Sequence, residues 1–71
     1  MRAVKDNPAK RLRVLMAERD INTQELAYMS GVHKNTIAAI RTGETTKPNS
    51  ETRYRIARAL GVKVNSIWPD S

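Results

Sequence analysis

At 71 residues the chain has room for one small domain, and with 39% hydrophobic and 4% aromatic residues its core must come from Leu, Ile, Val, Met and Ala. Thirteen Lys and Arg against seven Asp and Glu leave a net charge of +6, a balance that favours polyanionic partners. The absence of cysteine and the single histidine exclude disulfides, thiolate metal centres and His-rich clusters, so no cofactor or metal is expected. No apolar run approaches the ~20 residues of a membrane span, and no apolar signal segment follows Met1. No membrane partner is expected, and a cytoplasmic location is.

Residues 1–7 (MRAVKDN) show no periodicity and read as a flexible basic tail, whose Arg2 and Lys5 are candidates to contact a polyanionic partner's phosphates; residues 8–71 read as the folded domain. Asn7-Pro8 is a helix start, with a cap and then a proline at the first helical position. From Pro8 to Arg19 the residues Leu12, Leu15 and Met16 recur at helical spacing, which turns Lys10, Arg11 and Arg13 outward. Asp20 stands where a left-handed residue must end the helix, and Ile21 returns toward the core.

Residues 22–43 carry the most information. Asn22 followed by Glu25 is a capping-box signature for a helix over Thr23–Ser30. The turn Gly31-Val32-His33 follows, with His33 at the cap position of a second helix over Lys34–Arg41. Ala27, Ile37 and Ile40 fall on the facing sides of the pair. Such a unit fixes one helix steeply against another and leaves an outer face free, as in a DNA-binding helix-turn-helix.

Thr42-Gly43 stops the second helix, and residues 44–48 form a polar loop. Asn49 caps a further helix over Ser50–Leu60, whose apolar side reads as Tyr54, Ile56, Ala57 and Leu60, with Gly61 ending it. Arg53, Arg55 and Arg58 spread over more than one face and read as solvating charge. Val62, Val64, Ile67 and Trp68 make a last apolar cluster on a short fifth helical turn, stopped by Pro69. No strand-like alternation appears. The fold class is all-α, a compact bundle of about five short helices.

The segments RLRVLMAERDINTQELAYMSGVHKNTIAAIRTG, KP and IARALGV, at these spacings, resemble the lambda-repressor-like (Cro/cI) helix-turn-helix family over residues 9–68. The resemblance implies a five-helix domain that binds double-stranded operator DNA, commonly as a homodimer, and regulates transcription. It places base readers at Lys34, Asn35 and Ala39. Lys34 can donate to guanine O6 and N7, and Asn35 can pair with adenine N6 and N7. Ala38 and Ala39 let the helix sit deep and can touch a thymine methyl.

Phosphate anchors are expected at the start of the first motif helix (Asn22, Thr23, Gln24), where free N–H groups and the helix dipole point outward. A second set follows the recognition helix: Arg41, Thr42, Gly43, Lys47 and Asn49. His33 caps and can also reach a phosphate, and Thr36 has either a phosphate or its own helix backbone as partner. Two departures from the family stand out. Thr23 occupies a position where relatives carry Gln, with Gln24 one place on. Met16 and Arg41 replace an Arg–Glu pair, leaving Arg41 to bind a phosphate, Glu44 or a helix carbonyl. The C-terminal residues Val64, Ile67 and Trp68 are the expected dimer contact, since Trp68 is hard to bury completely in one small chain.

These features point to a sequence-specific transcriptional regulator, more a repressor than an activator. The alternatives are an antitoxin or controller type of regulator that also binds a protein partner, and a protein-interaction module on the same fold. Steep salt dependence with a preferred sequence separates a DNA binder from an interaction module. No paired carboxylates, Gly-rich phosphate loop or nucleophile–base arrangement is visible, so no enzymatic activity is expected.

Overall fold

The structure, a computed structural model, describes residues 7–69. Arg2 and Lys5, with the rest of residues 1–6, lie outside the described residues. Four α-helices follow one another: α1 (Pro8–Glu18), α2 (Thr23–Ser30), α3 (Lys34–Thr42) and α4 (Ser50–Leu60). The fifth helical turn expected from the sequence is a single 3-10 turn, Val64–Ser66, so the described residues form four α-helices rather than about five. The reason is local. Lys63 supplies no side-chain cap, only three residues separate it from Ile67, and the N–H groups of Ser66 and Ile67 bond three residues back, to Lys63 and Val64.

Each helix start is fixed by a side chain within its own first turn. Asn7 Oδ1 accepts from the Lys10 N–H (2.8 Å) and Asn49 Oδ1 from the Thr52 N–H (2.9 Å). At α2 the box is reciprocal: Asn22 Oδ1 accepts from the Glu25 N–H, and Glu25 Oε1 accepts from the Asn22 N–H. Asp20 ends the first helical segment with φ +54°, the left-handed conformation its position demands.

Helix α1 packs on α3, α2 packs on both α3 and α4, and α4 holds the 3-10 turn. The largest fully buried side chains are Leu12, Leu26, Ile37, Ile40, Ile56 and Ile67. Each stabilises the fold by roughly 1.5–3 kcal/mol through removal from water. Ile67 and Trp68 belong to the same cluster, and Val64 is half-buried against it. Trp68, expected to resist burial in one chain, is only 3% exposed.

Two further expectations are corrected by the packing. Tyr54 is not on the apolar side of α4 but 53% exposed, with its hydroxyl accepting from Arg58 Nη1. Arg11 does not simply face solvent; it is half-buried, and its Nη1 donates to the Ser66 carbonyl at 2.7 Å, tying α1 to the 3-10 turn. The other α4 arginines bond along their own helix, Arg53 to Ser50 and Arg55 to Glu51.

Candidate nucleic-acid interface

The turn between α2 and α3 is held by residues that leave little freedom. Ser30 is buried; its hydroxyl donates to the Leu26 carbonyl (2.7 Å) and accepts from the Val32 N–H (3.1 Å). Gly31 follows with φ +75°, a left-handed backbone conformation that calls for glycine. Val32 is buried beneath the turn. Ser30 was not singled out by sequence reasoning. A small polar residue before the glycine is the only signal for it.

His33 then caps α3. Its Nδ1 accepts from the Asn35 N–H at 3.0 Å, which fixes Nδ1 as the unprotonated nitrogen and leaves Nε2–H as the ring's donor. Replacing His33 by Ala is expected to cost about 1 kcal/mol of stability, while His33→Asn retains a capping acceptor and most of that stability. Urea unfolding of the two variants checks this; equal midpoints would show that the cap contributes nothing.

Ile37 and Ile40 face the core, so the opposite side of α3 presents Asn35 and Ala38, with Lys34 and Arg41 along the flank toward α2. A cleft of about 460 Å³ lies there, lined by Asn22, Thr23, Gln24, Lys34, Asn35, Ala38 and Arg41. The structure therefore brings Lys34, Asn35 and Ala38 of the expected base readers, but not Ala39, together with the residues expected to anchor at α2. Among the described residues no carboxylate lines this cleft, and the nearest in sequence, Glu25, is engaged in the α2 cap. An acid-free cleft on a chain of net charge +6 suits an anionic partner.

The remaining candidates lie elsewhere. Ala39 and Thr36 are half-buried on the other flank of α3. The Ala39 carbonyl accepts from both the Thr42 hydroxyl and the Thr45 N–H. The Gly43 N–H bonds to the Ile40 carbonyl, so Thr42 and Gly43 serve to end α3. Lys47 is exposed in the following loop, and Asn49 caps α4. Ile67 and Trp68 lie in the core of the single chain, which leaves Val64 as the partly exposed member of the expected dimer contact.

Arg41 takes none of the intramolecular partners the sequence suggested. Its Nη1 donates to Thr23 Oγ1, at the first position of α2. Its carbonyl accepts from Arg13 Nη1 on α1. Arg13 was read as merely outward-facing; the contact spans 28 residues, and no local pattern announces it.

The pattern that describes the Cro/C1-type HTH DNA-binding domain matches residues 11–67, the stretch that contains α2, the turn, α3 and nearly all of the core. The chain belongs to this family. The family is one of DNA-binding domains, and its match spans the whole of α2, the turn and α3. The domain is also similar to the cryptic phage CTXphi transcriptional repressor RstR of Vibrio cholerae, with 38% identity over 63 residues. That alignment covers 89% of this chain and 56% of the relative, so the chain spans little more than half the relative's length. No solved structure shows a significant match. Among the described residues, no helix is long and apolar enough to cross a membrane.

Proposed function

We propose that this Cro/C1-type domain is a phage-type transcriptional repressor that reads operator DNA in the major groove with α3. The observation that carries the reading is the acid-free cleft at the junction of α2 and α3, with Lys34, Asn35 and Ala38 on its α3 side. In this pose Lys34 and Asn35 meet base edges, and Ala38 lets the helix approach closely. Asn22 and Gln24 at the start of α2, with Lys47 in the loop after α3, contact the backbone and fix the register. The similarity to a phage repressor supports repression as the outcome of binding.

The protein acts without enzymatic activity, in the cytoplasm, and as a homodimer on a two-fold symmetric site with recognition helices about 34 Å apart. Selection of bound duplexes from a random pool tests the proposal. The expected result is one enriched motif with two-fold symmetry, bound with an affinity that falls steeply as salt rises. Recovery of unenriched sequence with salt-insensitive binding would overturn it, and an enriched asymmetric motif would overturn the dimer.

A further inference from the structure

We propose that Thr23 and Arg41 form one phosphate-binding unit, in which Thr23 is a positioning residue that sets the Arg41 guanidinium against a DNA backbone phosphate. This deepens the DNA-binding reading and rests on it.

The geometry begins with Arg41 as a junction. Its carbonyl is held by Arg13 from α1, and its guanidinium is held by Thr23 from α2. One residue at the end of α3 thus ties three helices together beside the cleft. Lys34 and Arg41, seven residues apart, share a stripe of α3 and lie about 10 Å apart along its axis. Both line the same cleft.

The hydrogen-bond inventory decides what this junction can bind. A guanidinium has donors only, so in the Thr23–Arg41 bond the hydroxyl must be the acceptor. That leaves the Thr23 O–H proton and the remaining Arg41 N–H groups, all of them donors. The Thr23 oxygen keeps one further lone pair, but donors predominate, and in a cleft that no carboxylate among the described residues lines they fit a partner rich in acceptors. A phosphodiester, with charge spread over its oxygens, has that character, and arginine meets it through a planar fork.

A purely structural role fits less well. Arg41 is half-buried, and its Nε is buried without a hydrogen-bond partner. An unmatched buried donor lowers stability, and an apolar side chain of similar length removes that cost. The guanidinium is therefore placed at some expense to the fold, in the cleft where DNA is to bind.

The test uses a mixed-sequence DNA duplex, because a phosphate contact acts on any sequence, and measures affinity across a salt series alongside urea unfolding. Arg41→Met is expected to keep the wild-type unfolding midpoint, lose affinity several-fold, and shrink the slope of log K against log salt by about 0.9. Thr23→Val loses affinity, Thr23→Ser restores it, and Thr23→Val adds no further loss in the Arg41→Met background. Should Arg41→Met not fold, Arg41→Lys keeps the charge without the fork. It is expected to retain the slope, lose affinity, and lose the sensitivity to Thr23→Val.

An unchanged slope in Arg41→Met, or a Thr23→Val loss of equal size with and without Arg41, overturns the proposal. If the wild-type protein binds with a steep salt slope while either of those results holds, this unit alone fails. If the wild type does not bind duplex DNA, the underlying reading fails with it.

Discussion

Replacing Trp68 by alanine is expected to lower the unfolding free energy by about 3–5 kcal/mol, the usual cost of emptying a buried aromatic site. That is the whole stability a core of this size supplies unaided, so Trp68→Ala should be largely unfolded at room temperature. The expectation rests on position rather than on residue type. Trp68 is 3% exposed and follows the 3-10 turn, which Arg11 fastens to α1 through the Ser66 carbonyl. Its Nε1 is buried without a partner, so the indole contributes by packing and not by hydrogen bonding. Trp68→Phe should consequently cost less than about 1.5 kcal/mol, since it keeps most of the ring and removes an unmatched donor. The chain has one tryptophan, so unfolding of both variants must be followed by circular dichroism rather than indole fluorescence. A Trp68→Ala protein with a wild-type urea midpoint would show that the indole is not part of the core. DNA binding by this variant should track its folded fraction, which separates loss of the core from loss of a subunit contact.

How much of this was legible in the sequence follows the range of the interactions. The four helix caps, Asn7, Asn22, His33 and Asn49, are contacts to residues two or three positions on, and all four stand where the sequence places them. The left-handed Asp20 and Gly31 are equally local. The face of α4 was read less well. Tyr54 lies two residues, about 200° round the helix, from Ile56. Ile56, Ala57 and Leu60 take the core, so the ring faces outward, 6.0 Å from the Arg58 guanidinium. At the candidate interface, the grouping of α2's first residues with Lys34 and Asn35 follows from the turn chemistry and was readable. The bonds Arg13–Arg41 and Arg41–Thr23 were not, because each runs from a long arginine side chain, to a backbone carbonyl 28 positions on or a hydroxyl 18 positions back, and leaves no periodic trace. The burial of Trp68 was hidden for a related reason. It depends on where the chain returns after Gly61, and only the packed fold determines that.

Lys34→Ala and Asn35→Ala are expected to change what the domain reads while leaving what it is unchanged. Both side chains are exposed in the first turn of α3, so neither variant should shift stability by more than about 0.5 kcal/mol. The Asn35 backbone N–H, which the His33 cap uses, survives the substitution. Each loss should remove about 1–3 kcal/mol of discrimination at one base position. In duplexes reselected from a random pool, Lys34→Ala should relax a guanine and Asn35→Ala an adenine, with the rest of the motif intact. Ala38 provides the contrasting case. It lines the cleft without polar atoms in its side chain, so Ala38→Leu should obstruct close approach and weaken binding to every sequence without altering the preferred one. A selected motif identical for wild type, Lys34→Ala and Asn35→Ala would move base reading away from the first turn of α3. It would leave the cleft as a backbone-binding surface, a role that needs its cations but not the order of its side chains.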